Sequence, residues 1–280
     1  MSTERSQDRL AVLSRIAEYE AAGIFDRDVE DDPPTRPLDY RRVDYLGKRL
    51  STKIGTAIAN RVATAHYERM IRRGEFLLGE VRGLENFEAV KGGALLTANH
   101  FSPLDNYAVW RSVRHLFGRR RLYKIIREGN YTSFPGLYGY LFRHCNTLPL
   151  ASTPRGLRAV IDSTVTLLRR GERVLIYPEQ AMWWNYRKPR PCKPGAYCTA
   201  VRAGVPVVPF FLTLKDSGRV GADGFPIPIH TVHILPPLYP DPTLREREAT
   251  ERLAEENYAA WCRTYREVYG IPVRYGEVSL

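Results

Sequence analysis

The chain has 280 residues and a formal charge of +11 at pH 7, from 42 Lys and Arg against 31 Asp and Glu. That length admits one sizeable domain with a full apolar core or two small ones, and one domain with appendages is expected. The charge draws the molecule to polyanions (nucleic acid, anionic lipid, an acidic carrier protein or phosphorylated substrates) without choosing among them.

Cys145, Cys192, Cys198 and Cys262 fit neither a zinc knuckle nor a CxxC pair, so they read as buried, reduced thiols of a cytosolic protein. The opening MSTERSQDRL is polar and does not read as a signal peptide. The longest nearly apolar run, VPVVPFFLTL at 205–214, is interrupted by prolines and too short to span a bilayer.

In chain order, residues 8–22 predict a short helix, followed by an acidic, proline-containing linker, DRDVEDDPPTRP at 26–37, expected to be exposed. Over 41–73, Val43, Leu46, Leu50, Ile54, Ile58, Val62 and Ala65 recur three and four apart, which predicts one long helix with a single apolar stripe. The same segment is strongly basic, with only Asp44 and Glu68 opposing its arginines and lysines. Such a helix can lie in a membrane interface or pack on a core with its charged face in water.

From about 80 to 240 the pattern changes to short apolar runs: VKGGALLTAN, RLYKII, CNTLPLA, RVLIYPE, VPVVPFFLTL and TVHILPPL. Most are apolar throughout, which predicts strands buried on both faces. The fold class expected is α/β: a mostly parallel central sheet with helices on both faces, an N-terminal amphipathic helical segment and a C-terminal helix. Helices are predicted at 153–171 and 193–204, each closed by glycine. A last helix, with Thr243 and Glu246 as its capping box, should run to about Gly270. The division expected is 1–79 for the helical segment and 80–280 for the α/β domain with its C-terminal helix.

Two stretches carry chemistry. In ALLTANHFSPLDNYAVW, at 94–110, an apolar strand delivers Asn99-His100 into a tight segment, Pro103 delays the next helix, and Asp105 opens it. A carboxylate there can hold one imidazole nitrogen and fix the tautomer while the other nitrogen takes a proton. Read singly, Asp105 could equally be a helix cap and His100 a core histidine. In RVLIYPEQAMWWNYRKPRPCKPGAY, at 173–197, a buried strand runs into Pro178-Glu179, two tryptophans and a cationic group of Arg187, Lys188, Arg190 and Lys193. A carboxylate beside aromatic rings and cations suits an acceptor with hydroxyls and an anionic head.

NHFSPLD resembles the NHxSxxD block, and YPEQ the FPEG block, of the glycerolipid acyltransferases typified by 1-acylglycerol-3-phosphate O-acyltransferase. VPVVPF is similar to that family's fourth block, and the three occur in the family's order across about 80–240. The resemblance implies acyl transfer from acyl-CoA or acyl-acyl carrier protein to the hydroxyl of a lysophospholipid, with His100 as general base, Asp105 orienting it, and no cofactor or metal. It carries Glu179 over as an acceptor-binding residue, with Arg187, Lys188 and Lys193 beside it for a phosphate. Asn99 and Ser102 join the substrate-binding set as residues that shape the turn rather than react. The chain departs from the pattern where Gln180-Ala181 follows Pro178-Glu179. It also lacks an arginine near Leu150, where the family places one on the acceptor phosphate; Arg143, Arg155 and Arg158 are the nearest.

The same chemistry on an amine, a glycolipid or another lysolipid, or a non-catalytic peripheral membrane-binding protein, are the alternatives. In the acyltransferase reading the basic helix docks on an anionic membrane surface, which places the protein peripherally on the cytoplasmic face. The cluster of His115, Arg119, Arg120, Arg121, Lys124 and Arg127 is a second place for phosphates or a carrier protein. No GxSxG, GxGxxG or phosphate-loop pattern is present. His230 and His233 should point to opposite faces of a strand, which argues against a metal site. Nucleic acid is set aside as a partner, because it leaves His100 and Asp105 without a role.

Overall fold

The structure, a computed structural model, describes residues 5–276. Its elements in chain order are α1 (Gln7–Ala21), α2 (Leu50–Arg73), β1 (Leu77–Arg82), α3 (Leu84–Glu88), β2 (Ala94–Thr97), α4 (Asp105–Val113), β3 (Leu122–Arg127), α5 (Glu128–Thr132), α6 (Gly136–His144), β4 (Thr147–Leu150), α7 (Pro154–Arg169), β5 (Arg173–Ile176), α8 (Cys198–Ala203), β6 (Val207–Val220), β7 (Pro226–Ile234) and α9 (Glu246–Tyr269).

The strands form one sheet in the order β1-β7-β6-β2-β5-β3-β4, parallel at every pairing except β6 with β7. Alternate residues of the short central strands enter opposite cores. Leu96, Leu175 and Val208 pack with Tyr67 of α2, Phe87 of α3 and Val109 of α4. Leu95, Val174 and Val207 pack with Leu167 of α7, Ala200 of α8 and Leu253 of α9. Both faces of the sheet are therefore covered by helices, as the unbroken apolar runs require.

The chain leaving β2 passes through α4 to β3, whereas the chain leaving β5 passes through α8 to β6, on the other side of β2. Adjacent parallel strands whose connections diverge leave a crevice at their carboxyl ends. His100 and Glu179 both lie just beyond those ends.

Several elements differ from the expected pattern, each for a local reason. The long helix begins at Leu50, not 41, because Asp44 accepts hydrogen bonds from the Lys48 and Arg49 amides at 3.0 and 2.8 Å and Gly47 takes φ 59°. Val43 and Leu46 turn inward against the core beside α7, and the outward stripe is left to Leu50, Ile54, Ile58 and Val62. The division after residue 79 falls inside β1, which pairs with β7. Thr243 does not cap α9: its amide and hydroxyl both donate to Asp241, and Glu248 reaches back to the Arg245 amide at 3.3 Å. Residues 194–196 form a 3₁₀ turn ahead of the shorter α8. Among the described residues no helix is long and apolar enough to cross a membrane, and no group of side chains is arranged to hold a metal ion.

Candidate active site

β2 ends at Thr97 and the next seven residues make a tight turn into α4. Asn99 fastens the turn to β6, donating to the Leu212 carbonyl at 3.0 Å and accepting from its amide at 2.8 Å. Asp105, the first residue of α4, is fully buried and turns its carboxylate back: Oδ2 accepts from the amides of Phe101 at 2.8 Å and Ser102 at 2.9 Å. The same oxygen lies 3.1 Å from His100 Nδ1. Three donors on Oδ2 offset part of the cost of removing the carboxylate from water, while Oδ1 is buried without a hydrogen-bond partner among the described residues. The Ser102 hydroxyl accepts from the Leu104 amide at 3.2 Å, so it serves the turn.

His100 is partly exposed, and with Nδ1 donating to Asp105 its Nε2 is the basic atom of the neutral ring. One face of the ring lies on Tyr177, the residue that follows β5, with centroids 3.9 Å apart and planes 16° from parallel. Burial, with the nearby Asp105 charge, pushes the Tyr177 phenol well above its ordinary range, so that hydroxyl stays protonated.

The loop after β5 folds over the turn after β2. Glu179, 2% exposed, accepts from the His100 amide at 2.9 Å and from the Arg190 amide at 2.8 Å. It also forms a 2.8 Å ion pair with the Arg190 guanidinium. Trp183 and Asn185 donate their amides to the carbonyls of His100 and Phe101, each at 3.0 Å. Gln180, where the resembled block has glycine, takes φ 70°, the left-handed conformation that glycine adopts without strain. Arg190 is fully buried; it also donates to the Phe25 carbonyl at 2.9 Å and lies over the Trp183 ring.

His100, Asp105, Asn99, Ser102 and Glu179 therefore converge on one turn. Glu179 does so from inside the protein, with both carboxylate oxygens taken by protein donors. The three cations do not share a cradle. Arg187 ends on Asp216 of β6, Lys188 on Glu20 of α1, and Lys193 on Asp26 of the acidic linker, each at 2.6 Å. The second basic cluster is likewise dispersed, with Lys124 donating to the Cys145 carbonyl and Arg127 pairing with Asp28 and Asp32. Tyr177 and Arg190 are the residues the sequence reading passed over in these roles. For Arg190 the usable signal is that a carboxylate at a buried strand end needs a charged partner nearby.

Comparison with known proteins gives three findings. The model of the acyltransferase family matches residues 79–213. The chloroplastic 1-acyl-sn-glycerol-3-phosphate acyltransferase of Brassica napus is 28% identical over 150 residues, 53% of this chain and 40% of that protein, so the chain spans less than half the length of this relative. The crystal structure of the 1-acyl-sn-glycerophosphate (LPA) acyltransferase of Thermotoga maritima is similar at 19% identity, with a TM-score of 0.48 over 96% of this chain and 98% of that one.

Proposed function

We propose that this chain, whose residues 79–213 match the acyltransferase family, moves a fatty acyl group from a thioester donor, acyl-CoA or acyl-acyl carrier protein, to a hydroxyl of a lysophospholipid such as 1-acylglycerol-3-phosphate. The observation that carries the reading is the imidazole of His100 held on the buried carboxylate of Asp105 at the carboxyl ends of β2 and β5. In the reaction, Nε2 takes the proton of the acceptor hydroxyl as its oxygen adds to the thioester carbonyl. The tetrahedral intermediate collapses with loss of the thiolate, which recovers the proton from the imidazolium. The acceptor is itself the nucleophile, so no acyl-enzyme forms, and no metal or prosthetic group takes part. Asp105 holds the tautomer and stabilises the charged ring.

The acceptor's phosphate has no preassembled cradle, since Arg187, Lys188 and Lys193 each meet a carboxylate of a different segment. That dispersal favours a second acceptor class, a lysolipid with another head group, a glycolipid or an amine, over a strict requirement for phosphate. The chain meets its lipid as a peripheral protein on the cytoplasmic face of an anionic membrane, through the exposed stripe and basic residues of α2.

The test is a panel of acceptors incubated with labelled acyl-CoA and acyl-acyl carrier protein. The wild type acylates at least one hydroxyl acceptor, and His100→Ala reduces that transfer to background with an unchanged circular dichroism spectrum. Asp105→Asn lowers kcat by roughly 10⁴, the loss typical of an imidazole left in the wrong tautomer. Near-normal turnover in His100→Ala would refute the assignment, and strong vesicle binding without transfer from any donor would favour the non-catalytic alternative.

A further inference from the structure

The hydrogen bond to Asp105 restrains one atom of the His100 ring, and the ring can still tilt about that contact. We propose that Tyr177 is the positioning residue that removes this freedom: its aromatic face is the surface against which the imidazole is held, keeping Nδ1 on Asp105 and Nε2 facing the acceptor. The inference rests on His100 acting as the base.

Three observations support it. The rings are nearly parallel with centroids 3.9 Å apart, close enough for face-to-face contact over most of the imidazole. Tyr177 follows directly on a strand end that is fixed in the sheet, because β2 and β5 are in register to Thr97 and Ile176 and the Ala98 amide donates to the Ile176 carbonyl at 3.3 Å. Tyr177 also packs against the core cluster that contains Leu96, Tyr107 and Leu175, so the ring is restrained by close-packed side chains. A stacking surface that directly follows a central strand and packs against the core is held at both.

Tyr177 Oη is buried and has no hydrogen-bond partner among the described residues, an arrangement that costs free energy. The aromatic face is the part that lies on His100, and once Nε2 has taken a proton that face meets an imidazolium and adds a cation–π contact in the charged state.

The experiment compares Tyr177→Phe, Tyr177→Leu and the more adaptable Tyr177→Met in the full chain, with His100→Ala as reference. Steady-state transfer is measured with the acceptor and donor that serve the wild type best. In parallel, the His100 ring-proton signals, assigned by their loss in His100→Ala, are followed by NMR. In the wild type these signals lie upfield, shifted by the Tyr177 ring current. Tyr177→Phe retains both the shift and the activity. Tyr177→Leu and Tyr177→Met lose the shift, and kcat falls tenfold or more, to roughly 10²-fold for a misplaced base, while KM for both substrates holds. Wild-type kcat in a folded leucine or methionine variant would overturn the proposal, as would a phenylalanine variant as impaired as these two. If the leucine variant fails to fold, the methionine variant and the ring-current comparison decide. Should His100→Ala retain turnover, the base assignment fails, whereas the NMR comparison still reports whether Tyr177 holds the ring.

Discussion

Glu179 shows how far a residue's role depends on which side of the surface it faces. In the sequence it reads as a ligand for the acceptor, a carboxylate among tryptophans and cations. In the fold it is a buried strut whose oxygens fix the amide of His100 and the charge of Arg190. The motif announces that a carboxylate is needed, but not that its partner lies eleven residues on, in a run of cations interleaved with prolines. Breaking a buried pair leaves the surviving charge uncompensated. Arg190→Met is therefore expected to lower unfolding free energy by about 3–5 kcal/mol, measured by urea denaturation, whereas Arg187→Met at the exposed Asp216 pair should cost about 1 kcal/mol or less. His100 and Asp105 were legible because their contact is local, closed within one turn by Pro103 and the start of a helix. Tyr177 was not, because stacking depends on sheet register between strands about eighty residues apart.

At the scale of elements, periodicity found α2 and misplaced its start, since one aspartate side chain competing for backbone amides is invisible to an apolar count. The stripe it did find is outward: Leu50, Ile54 and Ile58 are 72%, 53% and 51% exposed. A row of aliphatic side chains in water on a basic helix is the arrangement that enters a lipid interface. Ile54→Glu with Ile58→Glu is expected to abolish co-sedimentation with anionic vesicles while leaving the melting temperature unchanged, because neither side chain is buried in the core. β7 carries a different consequence. Burial, aided by Arg82, lowers the His233 pKa to about 4, and burial also lowers that of His230. As pH falls below about 6.5 the unfolded chain takes up protons on these rings that the folded chain refuses, so stability drops progressively down to about pH 4. Urea midpoints at pH 7.5, 6 and 5 check this, and His233→Gln should flatten the slope over that range.

The whole molecule is held in a way that composition hides. The acidic linker is exposed along most of its length, as expected, yet it is fastened to distant parts of the chain. Asp26 meets Lys193, Asp28 and Asp32 meet Arg127, and the carbonyls of Phe25 and Arg27 accept from Arg190 and the Trp183 indole. These pairings span about 100 to 165 residues of chain, and no local pattern encodes them. Removal of residues 1–37 is expected to speed amide exchange across 179–190 by loosening the loop over His100, while the core strands β2 and β5 keep their protection; hydrogen exchange read by mass spectrometry checks both halves.

The same long connections set an order in time. The turn at His100 makes two hydrogen bonds with Leu212 and donates another to Glu179, while Thr97 just before it donates to Asn257 of α9. Arg190, which holds that turn, also waits on Phe25, and Glu20 accepts from the amide of Gly276. A chain growing from its N-terminus thus carries Glu20 and Phe25 without their partners for most of its synthesis. Because closing such loops is slow relative to forming local helices, refolding should restore helical signal first and the proposed acyl transfer last.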